Sequence, residues 1–288
     1  MVAIDCGLCK KDCVLIGGNL MIYVGIVLFI VAGVLLYFMK QNQGRVRQMK
    51  ATETSTVNAL EETAATIRDD LGGGASHWKA KAEVKGRVVC ETPLEGQFTD
   101  VPSAVIHTRI VREWEEYRQE RDSDGNSRSR WVRRSDTMHD DVRTTSFHID
   151  DGTGQLRVAP NGADFTLNEV VDRFEPADRF DDGPSISFGP ITLNVGGMGW
   201  GSSRRLIGYK VQESILPVGA NVYGLGEVQD QGTSLVLTKS ANTETAFILS
   251  VKSEEELIAQ YEKTAKWQQI GAGVCVVIGV GLSVGHFL

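Results

Sequence analysis

The chain of 288 residues carries 30 Lys and Arg against 37 Asp and Glu, a formal net charge of -7, and five Cys. That balance argues against a general nucleic-acid binder, which needs a basic face to neutralise phosphates. Five Cys are too few for a disulfide framework in a chain of this size, while the length allows one domain with a substantial core.

Residues 1–19 form a tail in which Cys6, Cys9 and Cys13 crowd together. C-x2-C-x3-C could bind a metal or an acyl chain, or close a disulfide in an oxidising space. No fourth Cys or nearby His completes a structural zinc site, so membrane-flanking free thiols are the simplest reading. Residues 20–39, from Leu20 to Met39, hold no formal charge and are rich in Ile, Val, Leu and Phe. Such a run can cross ~30 Å of hydrocarbon, and it is too long for a signal peptide and lacks a small-x-small cleavage site.

Residues 40–74 begin with Lys40, Arg45, Arg47 and Lys50, with no acid before Glu53; Lys10 and Lys11 precede the span. Four basic residues against two place the central domain in the cytoplasm and both termini on the far side. Gln41 to Leu71 reads as one helix continuing out of the membrane. Val57, Leu60, Ala64, Ile67 and Leu71 make an apolar stripe on it, to pack on the chain's own domain or form a dimer seam. Gly72-Gly73-Gly74 ends it.

The period then changes to two across residues 75–252. "AEVKGRVVC" is a strand, with Gly86 marking a bulge or close backbone approach. "AVIHTRIVREWEEYR" and "RWVRRSDTMHDDVRTTSFHID" are long partner strands joined across "RDSDGNSRS". Asp122 and Asp124 there fail as a calcium loop, because Arg133 stands where a bidentate Glu is needed. The basic residues Arg128, Arg130, Arg133 and Arg134 read as one strand of a solvated, salt-bridged hairpin. "FHIDDGTGQLRVAP" is a tight hairpin. Asn168 to Arg179 reads as a short helix or irregular segment. Asp181 to Ser203, rich in Gly and Ser, reads as a surface loop from which Phe188, Met198 and Trp200 could reach a membrane. Three strand-like runs follow in "RLIGYKVQESILPVGANVYGLGEVQDQGTSLVLTK".

Ser253 and Glu256 form a capping box opening a helix over residues 253–269. It leads into a second uncharged run, residues 270–288, which reads as the second span. Gly281 and Gly285 in it make a small-x3-small pair, a possible homo-oligomer contact.

Four blocks, "VKGRVVCETPLEG", "FHIDDGTGQLRVAPNGAD", "ESILPVGANVYGLGEV" and "FILSVKSEEEL", together with the flanking helices, resemble the GIDE or BAM ("beside a membrane") domain. That domain is known from membrane-anchored RING E3 ubiquitin ligases of mitochondria and chloroplasts and from prokaryotic relatives. The resemblance implies a mainly β fold, an OB-like barrel or antiparallel β-rich domain, between two transmembrane helices. The ligases carry a C-terminal RING of paired Cys and His ligands. No such array lies in this sequence, so the expectation is a RING-less, prokaryotic member without ligase activity of its own.

No catalytic, cofactor or metal constellation emerges from the residues. Asp150-Asp151 and Asp140-Asp141 are adjacent acids whose side chains face opposite sides of a strand, not acid/base dyads. His107, His139 and His148 are scattered. The expected role is a membrane-anchored, non-catalytic interaction or scaffold protein of the cell (inner) membrane, with the lipid bilayer and a partner protein as its contacts. Two alternatives are a component of a ubiquitin-ligase-like or stress-response pathway and an OB-type ligand or nucleic-acid binder. Trp114, Tyr117 and Trp131 on the long hairpin, with Trp200 in the Gly-rich loop, are the candidate partner surface, since these aromatics sit in segments too polar to be wholly core.

Overall fold

The computed structural model describes residues 8–70, 78–121, 127–180, 185–195, 203–232, 234–242 and 245–285, the side chains of 8–22, 121 and 284–285 excepted. Cys6, Leu71, the Gly72–Gly74 run, Gly125, Met198 and Trp200 lie outside them. The helices are α1 (Leu8–Ala51), α2 (Val57–Asp70) and α3 (Glu254–Gly285). Contacts divide the chain into two compact units, Met1–Thr52 with Glu254–Leu288 and Glu53–Ser253.

In the first unit α1 and α3 pair antiparallel, and both are long and apolar enough to cross a membrane. Small residues set their approach: a Cβ added to Gly25 would lie 3.4 Å from the Gly279 carbonyl oxygen and 3.2 Å from the Ser283 hydroxyl. Close backbone approach of this kind is how helices associate where no hydrophobic effect drives them together. Toward the other end Asn42 donates to Gln268 (3.1 Å), Lys50 pairs with Glu262 (2.7 Å), and the Arg45 guanidinium lies over the Tyr261 ring. The outward faces stay apolar and uncovered, with Ile30 62% and Val277 72% exposed. A Cβ added to Gly281 would meet no atom within 4 Å, so this glycine faces away from α1.

The single helix expected from Gln41 to Leu71 is two. Thr52, Thr54 and Thr56 are β-branched and favour extended backbone, and Thr54 forms a β-bridge to Glu83. The Thr54 hydroxyl donates to Glu83 Oε1 (2.6 Å) and the Ser55 amide to the Glu83 carbonyl (2.8 Å). Thr56 then caps α2, its hydroxyl accepting from the Ala59 amide.

The second unit is built from β1 (Lys79–Val89), β2 (Ser103–Arg121), β3 (Ser127–Thr144), β4 (Phe147–Asp150), β5 (Gln155–Val158), β6 (Asp164–Thr166), β7 (Asn168–Pro176), β8 (Ser185–Phe188), β9 (Ile191–Asn194), β10 (Arg204–Pro217), β11 (Asn221–Asp230), β12 (Leu235–Thr238) and β13 (Ile248–Ser250). Five of them close a barrel in the order β1-β4-β5-β12-β11 and back to β1. All pairs are antiparallel except β5 with β12, the arrangement of an OB-type barrel. β11 reaches both neighbours on its far edge, β13 along Tyr223–Leu225 and β12 along Glu227–Asp230. The interior is filled by Val84, Val88, Phe147, Ile149, Leu156, Val158, Val228, Leu237 and Leu249. Closure depends on glycine at Gly86, where a Cβ would meet the Asp150 carbonyl oxygen at 2.4 Å.

A second layer, β3-β2-β10-β7, grows out of the barrel. Ala104 and Leu216, near where β2 leaves and β10 returns, belong to the barrel core, whereas Ile110, Tyr209 and Val211 belong to a second core. Two expectations are corrected here. Asn168–Pro176 is a strand followed by a 3-10 turn, because β10 offers it a full antiparallel partner from Asn168 to Pro176. Part of the segment expected to be a loop is the β8–β9 hairpin, whose Ile186, Phe188 and Ile191 are buried against Tyr209 and Phe180. Phe188 is 3% exposed and cannot touch a membrane from there. Glu213, fully buried in β10, accepts the Gln97 amide (2.8 Å), the Phe98 amide (3.2 Å) and the Thr108 hydroxyl (3.3 Å), fixing the β1–β2 connection over this core.

Candidate functional site

The β4–β5 hairpin is a structural clamp. Asp150 Oδ1 accepts the Gly152 amide (2.9 Å) within the turn. Asp151 reaches further: its Oδ2 accepts the Val57 amide (2.8 Å), and its Oδ1 accepts the Thr153 amide and hydroxyl and the Gly154 amide. Thr153 Oγ1 accepts the Asn58 amide (3.2 Å). With Thr56 taking Ala59, the first three N–H groups of α2, which no helical carbonyl can satisfy, all have partners. Burial pushes the Asp151 carboxyl up, but the Val57 amide and the Thr153 and Gly154 donors outweigh it and hold it below the usual carboxylate range. Gly154 leaves room for the helix, since a Cβ would sit 2.9 Å from Val57 Cγ1. At the other end of α2, Arg68 bonds the buried Asp230 (2.8 Å). The stripe Val57, Leu60 and Ala64 is buried in the barrel core, so it packs within its own domain.

The candidate surface lies on the β2–β3 hairpin, and the register decides its form. Tyr117 stands directly opposite Trp131, and Trp114 opposite Arg134. Because side chains alternate along a strand, Trp114 occupies the face opposite to Tyr117 and Trp131. On that face Trp114 Nε1 donates to Asp136 Oδ1 (3.1 Å), and the buried Arg112 grips the same carboxylate with Nε (3.0 Å) and Nη2 (2.5 Å). Arg204 covers the Trp114 ring at 5.1 Å. Trp114 is therefore half-buried in a polar cluster. Burial also raises the nearby Tyr209 hydroxyl, with the Arg112 charge opposing and Asp136 adding to it.

On the other face the Tyr117 and Trp131 rings meet at 5.2 Å and remain 46% and 38% exposed. Arg205 of β10 lies over Trp131 at 4.6 Å and bonds Glu115. Arg133 pairs with Glu113 on this face, whereas Arg130 with Glu120 (3.1 Å) and Arg118 and Arg204 with Glu116 (2.9 and 3.1 Å) pair on the Trp114 face. The Arg118 and Arg204 hydrogen bonds hold Glu116 below the usual carboxylate range. Sequence alone did not single out Arg204 and Arg205; their dibasic start of β10 was visible, but its alignment with Glu115 and Glu116 is a register, not a local signal.

The remaining candidates stay apart. His107 contacts Asp140 (2.6 Å), His139 stands opposite Ile110, and His148 lies in β4. Among the described residues no three His, Cys, Asp or Glu gather to hold a metal, and Cys90 and Cys275 are free thiols.

A family model described as "GIDE: E3 Ubiquitin ligase" matches residues 115–285. The E3 ubiquitin-protein ligase SPL1 of Arabidopsis thaliana is 23% identical over 209 residues, covering 71% of this chain and 56% of the plant protein. The chain thus spans about half the length of the curated relative it matches. No solved structure matches it.

Proposed function

Because the chain belongs to the GIDE family, we propose that it is a ubiquitin-ligase-related membrane protein in which this segment recognises a partner protein and carries out no transfer chemistry itself. Two apolar helices anchor it, and the barrel holds the β2–β3 hairpin as the recognition element. The observation that carries this reading is the Tyr117–Trp131 pair, which leaves two large rings exposed and in contact on a strand pair otherwise rich in charged residues. Rigid aromatics of this kind, framed by an arginine, are the residue types that anchor protein interfaces. Trp114 supports the hairpin from behind, and Trp200 joins the proposal from the sequence alone.

Cross-linking in the native membrane followed by pull-down tests it. Tyr117→Ala with Trp131→Ala should abolish recovery of the partner while circular dichroism and melting remain near those of the parent. Trp114→Phe, on the opposite face, should keep recovery. Unchanged recovery with the double substitution removes this site. Ubiquitin transfer by the purified chain with activating and conjugating enzymes would overturn the non-catalytic reading.

A further inference from the structure

One cleft lies between α1 and α3 at the end of the helical pair where Lys50 meets Glu262. It has a volume of about 580 Å³ and is lined by Gln43, Arg47, Lys50, Glu262, Lys266 and Gln269, with apolar Val46 in its wall. Three basic groups face one acid. Glu262 is engaged by Lys50 (2.7 Å), and Arg47 is exposed with no carboxylate within salt-bridge distance among the described residues. Depth is legible too. Gln43 stands four residues past Met39, the end of the uncharged run, which is about 6 Å of helix rise. On α3, Trp267 is 66% exposed beside the start of its apolar run at Ile270, the position at which tryptophan marks a membrane–water interface. A cationic cleft with amide donors at that level matches one chemistry, a phosphate group carried on an apolar tail.

We propose that this cleft binds the headgroup of an anionic phospholipid, with Arg47 and Lys266 holding the phosphate and Gln43 and Gln269 supplying neutral donors. The inference rests on the membrane reading above. Alkaline extraction of the full chain from its membrane tests that reading separately: release into the soluble fraction overturns both, and retention leaves the cleft to be decided by binding. For the cleft, the full chain in neutral detergent is mixed with phosphatidylglycerol or phosphatidylcholine, and bound lipid is counted by native mass spectrometry. The anionic lipid should be retained about ten-fold more, since each basic residue near a charged surface favours it several-fold. Arg47→Gln with Lys266→Gln should remove about ten-fold or more of that retention. Lys40→Gln with Lys263→Gln, which removes the same charge outside the lining, should leave it within about two-fold. Excess inorganic phosphate should not displace the lipid. Equal retention of the two lipids, equal loss in both double variants, or displacement by phosphate would each overturn the site.

Discussion

Asp151 joins two distant parts of the chain, and its replacement measures that junction. The carboxylate accepts an amide of the α2 N-terminus and closes its own turn through Thr153 and Gly154. Loss of a capping side chain costs about 1 kcal/mol and loss of negative charge at a helix N-terminus a further ~0.5 kcal/mol. Weakening of the turn brings Asp151→Ala to about 2 kcal/mol in total. Asp151→Asn keeps an acceptor of the same shape and should cost about 1 kcal/mol. For a domain of this size each kcal/mol lowers Tm by roughly 2–4 °C, so Asp151→Ala should melt ~5 °C below the parent at pH 7, followed by circular dichroism on the full chain. The sign with pH is fixed by the lowered carboxyl. Its stabilisation is complete above the unfolded-state value of about 3.9 and fades as pH falls through the lower folded-state value. The gap between parent and Asp151→Asn should therefore close in strong acid. Equal melting at pH 7, or an Asn gap that persists after the carboxyl is protonated, would refute the clamp.

Two further outcomes are expected. Gly86→Ala should destabilise the barrel by about 3 kcal/mol, because the new methyl would meet Asp150 backbone that cannot move without opening the β1–β4 seam; unchanged chemical denaturation would mean the seam is looser than these contacts require. The basic excess of Lys40, Arg45, Arg47 and Lys50 predicts that Gly125→Cys in intact cells resists a membrane-impermeant thiol reagent, and labelling there would reverse the orientation.

Much of this protein is written in local pattern. The two uncharged runs are long and apolar enough to cross a bilayer, a property of length and composition alone, so they could be read as candidate spans without any partner. The strands β1, β4, β5, β10 and β11 and the Asp-Gly turn follow from alternation and turn chemistry, which act over a few residues. The resemblance carried by four blocks pointed to the barrel and the family before any contact was known. What local pattern could not decide were questions of pairing. The break between α1 and α2 depends on Glu83, 29 residues away, and the cap of α2 on Asp151, 94 residues away. Gly/Ser-rich sequence around Phe188 looked like loop until Tyr209 and Phe180 offered it a core. Trp114 and Tyr117 are three residues apart, and in a paired strand that odd spacing sends them to opposite faces, so one candidate surface became two. Barrel closure is likewise a property of the β1–β11 register, because hydrogen bonds between strands more than 130 residues apart leave no trace in either strand's own composition.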